Sequence, residues 1–341
     1  MKKWLFIFIM VVFASGFGLL SERLNDPAMV RSAISKSLPL LEASSHTFLF
    51  NADPCHSCHG QGLGLVAFSL AREKGFAVAD STFDEAIGSI RKTWKRRTAM
   101  LGQNEDPAAL AIGGGYDLWA FSSANTKAEK RIVQLARNLM SRQLESGNWV
   151  SPNGRPPSEY YSFSATAMAV KALRAYLPES YNTELSVRLD RAIHWMETTT
   201  PLASEEKSFQ LLGLHWAGAD TNFITTQGRA LLLDQRSNGG WSQLPQLPTD
   251  AYATGQALYA LAVSGTIPTT DIAYQRGISY LLQTQFSDGS WYVKTRSFPS
   301  VPFADSGFPH GDSQFISAAG TNWATLALLL SLESPKKPAV R

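Results

Sequence analysis

Residues 55 to 60 read CHSCHG and hold the only two cysteines in a chain of 341 residues. Cys55 and Cys58 are two residues apart, and His59 follows at once. Several chemistries use this spacing. Two thiols can form thioethers to the vinyl groups of a haem while His59 ligates its iron, which is c-type attachment. They can instead close a disulfide or act as a redox pair. A metal completed by His56, His59 or a residue from elsewhere is a third use, although a zinc site needs two further ligands and no second cysteine pair exists. Two inert thiols are the fourth reading. For a second axial haem ligand, the nearest Met downstream is Met100 and the nearest His upstream is His46.

A second set of reactive side chains lies near helix ends. GLHWAGADTN brings His215, Trp216 and Asp220 together, and GFPHGDSQ brings His310 and Asp312. A His beside an Asp suits proton transfer or metal binding. PTDAYATGQAL puts Asp250 at the start of a helix. Asp220, Asp250, His310 and Asp312 are therefore the candidate catalytic groups, with Glu159, Tyr160 and Trp323 as further candidates for lining a cavity. Each aspartate has a plainer reading as a helix N-cap. Each histidine has one as a partner for backbone groups.

The elements that must position these groups repeat. QLESGNW (143–149), QRSNGGW (235–241) and QFSDGSW (285–291) align without gaps, and Leu139, Leu231 and Leu281 stand four residues before each Gln. The pattern predicts an amphipathic outer helix ending at the Gln. Gly147, Gly239 and Gly289 then supply a turn in which positive φ is cheap. Inner helices rich in small residues follow: SATAMAVKAL (164–173), YATGQALYAL (252–261) and GTNWATLAL (320–328), with Thr166, Thr254 and Thr321 in equivalent places. They are apolar nearly all round, which predicts burial. Less regular copies occupy 31–45, 55–76, 81–103 and 188–200. The sum is about six helical hairpins, an all-α ring of outer helices around inner ones. This α/α toroid is expected to fold as one unit over residues 25–333. Residues 294–314 are expected as an irregular loop over the ring, and 334–341 as a tail.

Composition and ends narrow the function. Lys plus Arg number 31 against 28 Asp plus Glu, so the chain offers no electrostatic case for nucleic acid. Lys2 and Lys3 precede an uncharged run from Trp4 to Leu20 with Ala14, Ser15 and Gly16 inside it. This pattern predicts a signal peptide over residues 1–22, or an uncleaved anchor through residues 4–20. Either places the rest of the chain outside the cytoplasm, secreted or periplasmic, with possible membrane association through the N-terminus.

The Gln-x3-Gly-x-Trp turns resemble the QW motifs of squalene–hopene and oxidosqualene cyclases. With the ATGQALYAL-type inner helices, they are similar to the prenyltransferase/squalene oxidase repeat over most of residues 130 to 333. The resemblance implies the terpenoid cyclase and protein prenyltransferase type of toroid, in which Gln143, Gln235 and Gln285 with Trp149, Trp241 and Trp291 are scaffold. It implies an apolar or isoprenoid small molecule in the central cavity, bound or cyclised. The acid motif D-x-D-D of those cyclases has no match here, and Asp250 has no neighbouring carboxylate. Other toroids cleave polysaccharides with paired carboxylates, for which Asp220, Asp250 and Asp312 are the candidates. A c-type haem redox protein on the same scaffold and a non-catalytic binding module are the alternatives.

Overall fold

The computed structural model describes residues 25–52, 56–106, 110–151, 154–297 and 304–334. The expected signal or anchor segment lies outside the described residues, as do Cys55 and the side chains of Cys58 and His59. Among the described residues there is no strand, only isolated bridges at Arg155–Glu159 and Ser242–Thr249. No helix among them is long and apolar enough to cross a membrane.

Six outer–inner hairpins follow one another. They are α1 (Pro27–Ala52) with α2 (Leu63–Glu73), then α3 (Asp80–Arg96) and the short α4 (Thr98–Gly102) with α5 (Gly115–Ser123). Next come α6 (Lys130–Ser141) with α7 (Ser162–Tyr176) and α8 (Asn182–Thr198) with α9 (Ser204–Ala217). The last are α10 (Thr221–Leu233) with α11 (Ala251–Val263) and α12 (Ile272–Thr284) with α13 (Gln314–Ser331). The inner helices pack in the order α2, α5, α7, α9, α11, α13 and back to α2, which closes the expected α/α toroid. The helix α13 starts at Gln314, ahead of the expected start near Gly320. The reason is that Ser317 bonds both the N–H (3.0 Å) and the carbonyl (3.2 Å) of Val293, which docks an extra turn on the preceding strand-like segment.

The two helix classes follow from their patterns. Outer helix α6 buries Ile132, Leu135, Ala136 and Leu139, a single stripe at helical spacing. Inner helix α11 buries every residue from Ala251 to Leu261. Such a helix needs small side chains where it crosses its neighbours. A Cβ on Gly255 would sit 2.5 Å from the backbone of Trp323 and Ala324 on α13, so only glycine permits that approach.

The repeated turns form one latch three times. The indole N–H groups of Trp149, Trp241 and Trp291 donate to the carbonyls of Leu139, Leu231 and Leu281 at 2.6, 2.9 and 2.8 Å. Their backbone N–H groups donate to Thr166, Thr254 and Thr321 at 3.0, 2.9 and 3.1 Å. The Gln side chains reach the next outer helix: Gln143 donates to Arg188 O, Gln235 to Ala273 O and Gln285 to Ala33 O. The last of these bonds joins the sixth hairpin to the first. Gly239 has φ of 88°, and a Cβ there would meet Arg276 O at 2.5 Å. Glycine is thus required twice over, by conformation and by contact.

The first two inner helices start differently. Cys58–Gly62 and Leu110–Gly114 are π-helical turns leading into α2 and α5. Along the axis, rings from four inner helices meet. Trp119 of α5 lies against Trp216 of α9 (5.4 Å), Tyr259 of α11 (6.0 Å) and Trp323 of α13 (6.0 Å). Phe209 lies 6.1 Å from Trp323. At that level the centre of the ring is filled by aromatic side chains, a sequence-cheap way to hold a wide ring shut.

Candidate functional site

Every inner helix follows a turn at the same end of the ring, so that end, the mouth, carries all their N-termini. The helix α9 opens with Ser204, Glu205 and Glu206. The carboxylate of Glu206 accepts the N–H groups of Leu202 (2.8 Å) and Ala203 (3.0 Å) and caps the helix. Successive helical residues point about 100° apart. Glu205 therefore turns to the inner face, where it is 2% exposed.

One oxygen of Glu205, Oε2, accepts the Tyr252 hydroxyl at 2.7 Å and the Gln256 amide N–H at 3.1 Å, both from α11. The other, Oε1, is buried without a hydrogen-bond partner, as are Gln256 Oε1 and Ser208 Oγ. Burial pushes the Glu205 carboxyl up to about 8, against the pull of the Tyr252 and Gln256 hydrogen bonds and of the Arg296 charge. At pH 7 it is a neutral acid. Burial, and then the neighbouring Glu205, raise Tyr252 well above the ordinary phenol value, so its hydroxyl stays a donor.

Asp250 sits beside this cluster. One oxygen accepts Ala253 N–H at 2.9 Å and caps α11, and the other accepts Gln243 Nε2 at 3.0 Å. Gln243 Oε1 in turn accepts Arg296 Nε at 2.8 Å. Burial lifts Asp250 to about 6, with its hydrogen bonds to Ala253 and Gln243 opposing. Arg296 also hydrogen-bonds the Tyr161 hydroxyl ahead of α7, although burial keeps that phenol above its ordinary value. Two carboxyl groups with raised and separated affinities for a proton thus share one mouth, bridged electrostatically by Arg296. Both shifts come first from burial.

The other expected residues disperse. Asp220 caps the outer helix α10, accepting Asn222 N–H (2.9 Å) and Phe223 N–H (3.2 Å), and α10 starts at the end of the ring opposite the mouth. It is therefore not on an inner helix end and does not pair with Asp250 or Asp312. His215 lies at the C-terminal end of α9, where partial desolvation and then Lys171 lower its proton affinity. Asp312 is exposed in the short Gly311–Ser313 turn. His310 does not pair with it. Its Nε2 contacts Ser290 Oγ at 2.8 Å, its ring lies among Phe286, Tyr292 and Phe308, and burial lowers its proton affinity. Ser290 is fully buried and bonded to Asp288 as well, so His310 staples the loop to the last repeated turn. Glu159 is buried and ion-paired with Arg155, Tyr160 is exposed, and Trp216 and Trp323 belong to the aromatic axis.

Around CHSCHG, the two residues between the cysteines, His56 and Ser57, are held inward. His56 Nε2 donates to both Asp117 oxygens, at 2.8 and 2.9 Å, and Nδ1 meets Thr93 Oγ1 at 2.9 Å. Trp94 Nε1 donates to Asp117 at 2.7 Å. Asp117 lies in the first turn of α5 and is fully buried. Gln61 fastens the same turn, accepting Ser57 N–H and donating to Ser45 O. His46 is tied to Glu85 at 2.9 Å. Among the described residues there is no group of three or more side chains suited to a metal ion.

Sequence reading passed over Glu205, Tyr252, Gln256, Arg296 and Asp117. A signal existed for Glu205: two adjacent acids open an apolar helix, and a cap uses only one. Asp117 was legible as the sole charge in IGGGYDLWAF.

No protein-family model matches the chain, and no curated protein sequence does. Solved structures do match. A type II terpene cyclase, MstE from Scytonema, in complex with geranylgeranyl dihydroxybenzoate as substrate, superposes with a TM-score of 0.54 at 15% identity, over 89% of this chain and 97% of that one. A possible member of the GH105 family from Klebsiella pneumoniae gives 0.56 at 13% identity, over 97% and 98%. A protein from Actinoplanes gives 0.57 at 14%, over 90% and 99%. At these identities the likeness is one of fold: a terpenoid-cyclase-like toroid.

Proposed function

We propose that the protein binds an apolar molecule of the isoprenoid class at the mouth of its toroid and reads the polar end of that molecule with Glu205. The observation that carries this reading is a buried, neutral carboxylic acid with one unpartnered oxygen, set above an axis of aromatic rings. Such an arrangement suits an apolar body and a single polar group. The acid also favours binding over cyclisation. A carboxyl that keeps its proton to about pH 8 is a poor donor to an unactivated alkene but a good hydrogen-bond donor to oxygen. Binding, or acid assistance at an oxygen, is therefore the favoured role, and squalene-type cyclisation is not. Intrinsic Trp fluorescence titrated with C15 to C30 isoprenoids tests it. Saturable quenching is expected, and a flat response across the panel removes the reading.

A second reading has its own observation. The donor set Cys55, Cys58 and His59 fits covalent attachment of a c-type haem, two thioethers and one axial imidazole. His56 is engaged by Asp117 and Thr93 and so is a poor candidate for the iron. A haem there would supply one-electron chemistry. The chain's own contribution would be a turn fixed to α5 and α1 by His56 and Gln61. A Soret band that survives denaturation, from a host competent in haem attachment and exporting the chain, supports it. A colourless product from that host overturns it.

A further inference from the structure

We propose that the polar end read at the mouth is a neutral hydroxyl, bound by the open atoms Glu205 Oε1 and Ser208 Oγ of α9 and Gln256 Oε1 of α11. This deepens the isoprenoid reading above and rests on it.

The assignment comes from counting donors and acceptors. Glu205 Oε2 already receives two donors, the Tyr252 hydroxyl and the Gln256 amide. The proton of the neutral acid therefore sits on Oε1, where no acceptor meets it. The Gln256 carbonyl oxygen is an acceptor with no donor, and its amide nitrogen is fixed by its bond to Glu205. Ser208, one turn along α9 from Glu205, adds a hydroxyl that can serve either way. All three residues are at least nine-tenths buried: Glu205 is 2% exposed, and Ser208 and Gln256 are 0% exposed.

Buried polar atoms left open in this way are costly unless something completes them. The set offers one fixed donor, one fixed acceptor and one adaptable group. A hydroxyl accepts from Glu205 and donates to Gln256. A hydrocarbon end satisfies neither. A carbonyl satisfies only the donor. A diphosphate would set its charge against the Gln256 carbonyl oxygen, and although Arg296 gives its Nε to Gln243 it keeps Nη2 open, so the diphosphate is the competitor to test.

The test uses the full purified chain with three probes of equal length: farnesol, farnesene and farnesyl diphosphate. Affinities are read by Trp fluorescence and checked calorimetrically. Farnesol is expected to bind about tenfold more tightly than the other two, a difference that one buried hydrogen-bonded group can supply. Ser208→Ala and Gln256→Leu should each cut farnesol affinity by about fivefold and leave farnesene unchanged. Thermal melts of both variants check that the fold persists. The preference for farnesol should fade above about pH 8, where Glu205 loses its proton. Equal binding of farnesol and farnesene overturns the hydroxyl assignment while sparing the isoprenoid reading. Tighter binding of the diphosphate overturns it in favour of Arg296. Binding of none of the three overturns both.

Discussion

The repeated turns and the mouth are built from the same residue types and treat them in opposite ways. In the turns, Gln143, Gln235 and Gln285 spend both amide hydrogens on backbone carbonyls, one within the turn and one on the next outer helix. Each Trp donates from its indole and its backbone. The first turn is equally saturated, with Asp117 taking His56 and Trp94. At the mouth, Gln256, Ser208 and Glu205 each keep a buried atom open. The latch side chains close their hydrogen bonds, and these three at the mouth do not, which is what the proposed ligand site requires. The contrast separates two roles that residue identity alone does not.

The comparison can be broken at its saturated side first. Asp117→Ala strands the His56 and Trp94 donors in the core and should cost about 3–5 kcal/mol, read as a fall in the urea midpoint. A loss near zero would mean that saturation does not mark scaffold.

The mouth should respond with the opposite sign. Glu205 has its folded-state value, about 8, above its ordinary 4.5. Its contribution to stability is full below about pH 4.5 and is lost as pH rises through 8, because the folded chain holds a proton the unfolded chain releases. Glu205→Gln should flatten that decline and gain up to about 3 kcal/mol at pH 7. Asp250, raised to about 6, adds a smaller decline between about pH 4 and 6. Melting curves across pH 4 to 9 check both.

Trp241→Phe should cost about 2–3 kcal/mol for a lost indole bond and a small cavity. Trp149→Phe and Trp291→Phe should match it, since the three latches share one geometry. Gln285→Ala should cost about 1–2 kcal/mol. If closure of the ring adds to it, Gln285→Ala will exceed Gln143→Ala. Smallest of all, Ser208→Ala should be neutral or slightly stabilising, because it deletes a hydroxyl that has no partner. A clear loss there would show that Ser208 is scaffold after all.

The sequence made the ring readable because the latch repeats. Leu139, Gln143, Gly147 and Trp149 each have a bonding role and recur at fixed spacing, and the Thr that completes each latch recurs at the same place on its inner helix. Nothing in the mouth recurs. Glu205 sits in a hairpin whose turn lacks the Gly and Trp, so no alignment drew attention to it. Its partners Tyr252 and Gln256 lie on another helix, and a pairing across α9 and α11 leaves no mark along the chain. Asp220, Asp250 and Asp312 look alike as helix starts. Only the alternation of outer and inner helices tells that Asp220 opens at the opposite end.

The bond from Gln285 to Ala33 has a consequence in time. Outer helix α1 packs on α2 and α3, which are made soon after it, and also on α12 and α13, the last of the ring's helices to be made. Asn25 is strapped to Gln275 in the same way. The first hairpin, with the CHSCHG turn at its tip, therefore waits through the synthesis of nearly the whole chain before its seam is sealed. Contacts this distant in sequence are slow to form. Chemistry performed on that turn before the seam is sealed meets the open ring.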